Sequence, residues 1–172
     1  MLYYPIKVFA KGAAPPIIPA RRDATLDAVP VDYVADAIFE LSRGSPEPGA
    51  TFHLVAGSEA STLGDILEAV ARHFGARVPW MMPVRLYMAL LDPIVIRVYR
   101  GRRRRALKLA RAFVPYFSME VGFADDHARR RLAAAGIRGA RLESYLPRLL
   151  DYATAAKWGK VPIGRAEARA MA

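Results

Sequence analysis

Two residues near the start of the chain, Tyr3 and Lys7, have the spacing Tyr-x-x-x-Lys, which on a helix places their side chains one turn apart. An ammonium group at that distance lowers the pKa of a phenol, so the pair can transfer a proton near neutral pH. The same spacing arises by chance on any amphipathic helix, and Pro5 between the two residues disfavours a long helix. We therefore interpret Tyr3 and Lys7 as packing residues and predict no catalytic residue here.

The other residue types that perform chemistry are few. The chain has no cysteine, which excludes disulfides and thiolate metal sites and fits a reducing compartment. The three histidines, His53, His73 and His127, lie far apart without ligand spacing, so no metal site is expected. His53, within "TFHLV", is interpreted as a hydrogen-bonded core histidine in preference to a proton donor.

A basic block from Arg97 to Arg111 accounts for most of the net charge of +10. No acid occurs between Asp92 and Glu120, and guanidinium groups form forked hydrogen bonds with phosphate. Phosphate groups, an acidic carrier protein or an anionic lipid surface would suit this block, and a merely solvated basic face is an equal alternative. Nucleic acid is disfavoured because Tyr99 is the one aromatic residue within the block. The candidate anion-binding residues are Arg97, Arg100, Arg102, Arg103, Arg104 and Arg105.

The most apolar window runs from Trp80 to Arg100 and is interrupted by Pro83, Arg85, Asp92 and Pro93. Such a window does not supply the ~20 largely apolar residues that span a bilayer. With no secretory signal at the N-terminus, we expect a cytoplasmic protein with the option of peripheral membrane contact. Unbranched and aromatic side chains in this window suit an acyl tunnel, although plain core is the favoured interpretation. The acyl-binding candidates are Trp80, Met81, Met82, Tyr87 and Leu90.

The hydrophobic periodicity predicts a mostly helical chain of 172 residues with one core. A first helix over 2–10 ends at Gly12, and "VDYVADAIFELSRG" has Val34, Ala35, Ile38 and Leu41 on its inner face. Further helices are predicted over "STLGDILEAVARHFG", capped by Ser61 or Thr62, over "HARRRLAAAG", capped by Asp125 or Asp126, and over "LESYLPRLLDYATAAKWG". Between the first two of these, Asp92 and Pro93 predict a break and the start of a second helix. Residues 161–172 are expected to form a flexible tail.

Extended structure is predicted for three short segments. "TLDAVPV" and "VPWMMP" are interpreted as extended, and "TFHLVAG" has the continuous apolar character of a strand buried on both faces of a parallel sheet. Such a strand needs neighbours that this chain does not offer. Either this segment is not a strand, or the rest of the sheet to which it belongs lies elsewhere.

The string "LDAVPVDYVADAIFEL", followed by "GATFHLVAG" and "STLGDILEAV", resembles the C-terminal part of extended short-chain dehydrogenase/reductases of the NAD-dependent epimerase/dehydratase superfamily. The nearest branch is that of the fatty acyl-CoA reductases, male-sterility proteins and thioester reductases. "FADDHARRRLAAAGI" and "LESYLPRLLDYATAAKWG" resemble the closing helices of that family. The resemblance covers residues 1–160.

The resemblance implies an α/β fragment, mostly helical: the substrate-binding C-terminal part of a Rossmann-type reductase, with one or two strands of the parent sheet. In the complete enzyme NADP(H) would deliver a hydride to a thioester carbonyl of acyl-CoA or an acyl carrier protein. The Gly-rich turn of that family is absent from this chain, and its Tyr-x-x-x-Lys pair lies upstream of "VPVDYV". This chain alone is therefore expected to bind no cofactor and to need a nucleotide-binding half.

Two other functions remain open from the sequence. One is a non-catalytic basic module that binds an anionic membrane surface or nucleic acid through the block from Arg97 to Arg111. The other is part of a sugar-nucleotide epimerase or dehydratase of the same superfamily. The acyl chain length, the choice of NADH or NADPH, and whether Met1 is the native start are not encoded in any motif.

Overall fold

The computed structural model describes residues 3–43, 49–98, 114 and 122–170. These residues form a mostly helical α/β fold with a small parallel sheet. The chain divides into two compact units, although its length predicted one core. Unit 1 comprises Met1–Thr25 and Thr62–Glu120, and unit 2 comprises Leu26–Ser61 and Val121–Ala172.

The helices and strands of the described residues are short. In chain order they are α1 (Tyr3–Ala10), β1 (Ile17–Pro19), β2 (Thr25–Leu26), α2 (Val31–Arg43), a 3-10 turn (Gly57–Glu59), β3 (Ser61–Thr62), α3 (Leu63–Phe74), β4 (Trp80–Met82), α4 (Val84–Leu90), α5 (Asp92–Val98), α6 (Asp126–Ala134), α7 (Leu142–Ala155) and α8 (Arg165–Ala170). The chain passes from one unit to the other within β2 and between the two residues of β3.

Unit 1 is built around a parallel pair of strands. Strand β1 pairs with β4 in the register Ile17 to Trp80, and the Ala20 N–H donates to the Met82 carbonyl at 3.1 Å. The extended structure predicted for "VPWMMP" is confirmed by this pairing. Beside the strands, Ala20, Ala24 and Leu63 form a buried cluster against which neighbouring apolar side chains pack; those neighbours are Ile18, Leu67 and Met81.

Helix α3 has the ends that its sequence predicts. The Thr62 side chain is the N-cap and accepts a hydrogen bond from the Asp65 N–H at 3.1 Å. Gly75 ends the helix in the left-handed conformation at φ 62°, which a glycine adopts without steric cost. Ile66 and Val70 on the inner face of α3 are fully buried. Both helix ends could be predicted from the sequence because an N-cap residue and a C-terminal glycine are local signals.

Removing this cap should destabilise unit 1. Thr62→Ala leaves the Asp65 N–H without its side-chain acceptor, and we expect a loss of about 1 kcal/mol in the free energy of unfolding. Faster hydrogen exchange at the amides of the first turn of α3 would report the loss. Thr51→Ala, at an exposed loop position, is the matched control and should leave exchange in α3 unchanged. Equal effects of the two substitutions would contradict the capping role.

Unit 2 is held together by the packing of α2 against α6. Ala37 and Leu41 of α2 are buried against Ala128 and Leu132 of α6. The helix over Val31–Arg43 was predicted, but its inner face is partly wrong. Ala35 is exposed and Ile38 is 57% exposed, because the face that meets α6 is centred on Ala37 and Leu41. A small residue at the centre allows the two helices to approach closely, a role that apolar periodicity alone does not reveal.

The strand predicted over "TFHLVAG" is not formed: residues 51–56 have no strand structure, and Gly57 begins a 3-10 turn. Phe52 and Leu54 pack against the α2 and α6 cluster, while Thr51 and His53 are exposed. Apolar side chains that pack against α2 and α6 thus alternate with exposed polar side chains along this segment. His53 is hydrogen-bonded through Nδ1 to the Ala124 carbonyl at 3.1 Å, but it lies outside the core, which corrects the interpretation of His53 as a core residue.

The remaining predicted boundaries lie close to the observed ones. Helix α1 is followed by Gly12 at φ 63°, and α4 ends at Leu90, just before Asp92 and Pro93 begin α5. Asp125 occupies the N-cap position of α6. The segment 161–172, predicted as a flexible tail, contains the short helix α8. Within the described part of the chain, no helix has the length and apolar character needed to cross a membrane.

Candidate functional site

The Tyr3 and Lys7 pair lies on α1, with the spacing that the sequence indicated. Ile6 and Phe9 of the same helix are buried, and α1 packs against α3. The side chain of Tyr3 lies outside the described residues. Burial of Ile6 and Phe9 shows that α1 packs into unit 1 through these two residues. The interpretation of Tyr3 and Lys7 as packing residues stays a prediction.

The five acyl-binding candidates are divided by the structure into two groups. Met82 and Tyr87 are buried, and Met81 packs against the cluster beside β1. Trp80 and Leu90 are instead exposed, by 64% and 55%. Three of the candidates therefore belong to the core of unit 1, and the other two belong to its surface.

An exposed apolar surface follows helices α4 and α5. It consists of Leu86, Leu90, Ile94 and Val98, each four residues from the next. The junction keeps helical geometry, because the Leu91 N–H donates to the Tyr87 carbonyl at 2.9 Å and the Val95 N–H to the Leu91 carbonyl at 2.8 Å. Successive members therefore lie about one turn apart along the two helices. We call these four residues the α4–α5 surface.

Basic residues flank the α4–α5 surface. Arg85 on α4 and Arg97 on α5 are both exposed. The other predicted anion-binding residues, Arg100 and Arg102 to Arg105, lie outside the described residues. The sequence predicted an apolar window here, but it did not predict that the four residues of the α4–α5 surface would face solvent. Their four-residue spacing could have indicated that they share one helix face.

Unit 2 contains a cavity of about 460 Å³ that sequence reasoning did not identify. One wall is apolar and includes Val55, Leu132 and Ile137. The polar groups that line it come from four parts of the chain: Tyr33 on α2, Glu59 in the 3-10 turn, Asp125 and Arg129 at the start of α6, and Arg138 in the loop before α7. We call this the unit 2 cavity. Its volume is in the range of sites for small organic molecules.

A bidentate ion pair forms one end of the unit 2 cavity. The Arg129 Nε donates to Asp125 Oδ2 at 3.1 Å, and its Nη2 donates to Oδ1. This hydrogen bonding raises the pKa of Arg129 above its ordinary value, with a further contribution from the charge of Glu59. Gly57 makes room for the pair, because a Cβ there would lie 2.7 Å from the Asp125 carboxylate. Asp125 was predicted as a helix cap, but its side chain makes no capping hydrogen bond and instead holds Arg129 in the cavity wall.

The Tyr33 phenol is half-buried in the same wall. Burial raises the pKa of Tyr33, the Asp125 carboxylate raises it further, and the Arg129 guanidinium opposes them. No hydrogen-bond partner of the Tyr33 hydroxyl is present among the described residues. The phenol thus remains protonated at neutral pH and can donate to, or accept from, a molecule in the cavity.

The raised pKa of Tyr33 gives a prediction at alkaline pH. The folded state holds the phenolic proton of Tyr33 more tightly than the unfolded chain does, and this difference stabilises the folded state. The stabilisation is complete below the ordinary pKa of 10.0 and is lost as the pH rises through the pKa of the folded state. Spectrophotometric titration of tyrosinate should show that Tyr33→Phe removes one late ionisation, above pH 10.0. Removal of an ionisation below pH 10.0 would contradict the assigned environment.

A second polar contact of unit 2 is structural. The buried Ser61 donates from Oγ to Glu143 Oε2 at 2.6 Å, and the Tyr145 hydroxyl donates to the Ala28 carbonyl at 3.4 Å. Burial raises the pKa of Tyr145, with the charges of Asp32 and Glu143 adding to it. These contacts fasten α7 to the segments before α2 and α3.

Comparison with known proteins gives no match. No protein-family model, no curated protein and no solved structure is similar to the chain. Among the described residues, no group of three histidine, aspartate or glutamate side chains is arranged to hold a metal ion. Function must therefore be argued from the residues and geometry above.

Proposed function

We propose that the chain is the substrate-binding part of an acyl-thioester reductase and that unit 1 binds the acyl chain. The proposal is carried by the α4–α5 surface, with Trp80 on the preceding strand. These exposed side chains offer an alkyl chain apolar contact along two consecutive helices. The sequence resemblance to acyl-thioester reductases points to the same class of substrate. The proposed acyl-binding residues are Trp80, Leu86 and Leu90. This set keeps Trp80 and Leu90 from the five candidates predicted from the sequence and adds Leu86.

The residues present do not fit the dinucleotide that such a reductase uses. Pyrophosphate binding in these enzymes requires backbone N–H groups in a Gly-rich turn between a strand and a helix. In unit 1, β4 leads into α4 through Pro83, which has no N–H, and no glycine lies in that turn. We therefore assign no NADP(H) contact to the described residues, and hydride transfer would require a nucleotide-binding half.

Binding of palmitoyl-CoA is the first test of this proposal. Contact with the alkyl chain should shift the fluorescence of Trp80 to shorter wavelength, and free coenzyme A should produce a much smaller shift. Burial of each half-exposed leucine contributes about 1 kcal/mol, so Leu86→Asn with Leu90→Asn should weaken binding roughly thirtyfold. Asparagine at these exposed positions leaves the core of unit 1 intact.

Leu149→Asn is the matched control, because Leu149 is also half-exposed but lies on α7 of unit 2. It should leave the affinity for palmitoyl-CoA unchanged. Equal binding of coenzyme A and palmitoyl-CoA, or an affinity unaffected by the double substitution, would reject the acyl-binding role. Tighter binding of UDP-glucose than of palmitoyl-CoA would favour the sugar-nucleotide epimerase alternative.

A second candidate function is shallow attachment to an anionic membrane surface. Helix α5 has Ile94 and Val98 exposed beside an exposed Arg97, and the basic block follows directly in the sequence. Apolar side chains next to basic ones are typical of interfacial helices. Vesicles containing phosphatidylserine should retain the protein at low salt, and Ile94→Asn with Val98→Asn should release it. Retention by purely zwitterionic vesicles, or failure of anionic vesicles to retain it, would exclude this function.

A further inference from the structure

The unit 2 cavity is lined by charged groups of both signs. The Asp125 carboxylate holds Arg129 through the bidentate pair, and Glu59 lies in the same wall. Arg138 is exposed and has no carboxylate within 4.0 Å among the described residues. Because Arg129 is already paired, Arg138 is the guanidinium of the described cavity wall that remains open to a ligand anion.

The loop that carries Arg138 supplies further donors. Among the described residues, the N–H groups of Arg138, Gly139 and Ala140 have no hydrogen-bond acceptor. Consecutive backbone amides beside a guanidinium suit a carboxylate or a phosphate group. The loop also lies near the Tyr33 ring, since a Cβ at Gly139 would be 3.8 Å from that ring. A ligand held by the loop would therefore be close to the phenol.

The apolar wall defines the rest of the ligand. Leu132 is fully buried beneath the cavity, and Val55 and Ile137 complete an apolar surface that a ring or short hydrocarbon body would cover. We propose that the unit 2 cavity binds a small organic anion, a carboxylate or phosphate ester with an apolar body, whose anionic group is held by Arg138 and the loop amides. The Tyr33 hydroxyl then hydrogen-bonds a polar substituent or the anion itself. The site is independent of the acyl-binding role, which concerns unit 1.

The test uses benzoate and phenyl phosphate as probes, with benzamide as the neutral control. Titration followed by amide nuclear magnetic resonance should show that both anions shift the signals of Gly139 and Ala140, with the tighter binder identifying the class. Arg138→Gln removes a charge-assisted hydrogen bond and should weaken anion binding about tenfold. Benzamide should bind more weakly than either anion and show no dependence on Arg138.

Two further variants make the result specific to the cavity. Arg130→Gln removes the same charge from an exposed position of α6 outside the cavity wall and should leave binding unchanged. Ala133→Phe places a ring at an exposed position of that wall and should abolish binding of both anions while the fold is kept. Absence of any shift with both anions, or binding that survives Arg138→Gln and Ala133→Phe, would overturn the proposal.

Discussion

Leu132→Ala should lower the free energy of unfolding of unit 2 by about 2 to 5 kcal/mol. The Leu132 side chain is 1% exposed and joins Ala37, Leu41 and Ala128 in the cluster between α2 and α6. The substitution truncates one of the two leucines of that cluster, and its remaining members, two of them alanines, cannot fill the space. The loss combines the transfer of the deleted carbons with the cavity that is left behind.

Hydrogen exchange is the suitable measurement because the chain has two compact units and need not unfold in one step. Leu132→Ala should accelerate exchange in α2 and α6 by at least about thirtyfold, corresponding to the lower limit of 2 kcal/mol. Leu149→Ala removes the same atoms from a half-exposed position of α7 and should change exchange far less. Equal acceleration by the two substitutions would show that the cluster does not hold unit 2 together.

The boundaries that the sequence predicted well depend on local chemistry. Thr62 and Gly75 bound α3 because a hydroxyl satisfies an N–H of the first turn and a glycine accepts the left-handed conformation. Asp92 and Pro93 similarly mark the start of α5. Each of these signals depends on residues within one turn of the boundary, so none requires knowledge of how the chain folds back on itself.

Features that depend on distant residues were not predictable in this way. The apolar run "TFHLV" looked like a buried strand, yet Phe52 and Leu54 are covered by α2 and α6 instead of by other strands. The unit 2 cavity brings Tyr33 together with Asp125 and Arg138, which are 92 and 105 residues further along the chain. A single sequence contains no pairing information of that kind. Asp125 carried only the signal of a helix cap, although it also positions Arg129.

The α4–α5 surface is an intermediate case. The sequence identified the apolar window, favoured plain core for it and kept an acyl tunnel as the alternative. A tunnel requires walls from elsewhere in the fold. Helical spacing separates Tyr87, which is buried, from Leu86 and Leu90, which are exposed. Periodicity thus shows which side chains share a face, whereas only packing decides whether that face is covered.

Gly64→Ala should destabilise unit 1 by about 1 to 3 kcal/mol, although alanine is the better helix former. Gly64 lies in the first turn of α3, where its N–H donates to the Arg22 carbonyl at 2.9 Å and the Leu63 N–H donates to the Ala24 carbonyl at 2.8 Å. A Cβ at position 64 would lie 2.6 Å from Arg22 Cγ and 3.1 Å from the Arg22 carbonyl oxygen. The helix would have to move away from the segment on which it is docked.

Combining the substitution with Arg22→Ala separates the two contacts. Arg22→Ala removes Cγ, and with it the closer clash, at the cost of the exposed ion pair between Arg22 and Glu68, which contributes little. The double variant should therefore recover part of the stability lost in Gly64→Ala, and the remainder measures the contact with the Arg22 carbonyl. Gly164→Ala, where a Cβ would meet no atom within 4 Å, should be nearly neutral. If Gly64→Ala instead slowed hydrogen exchange in α3, helix propensity would outweigh the close approach of residue 64 to Arg22. The docking of α3 on Arg22 would then be disproved.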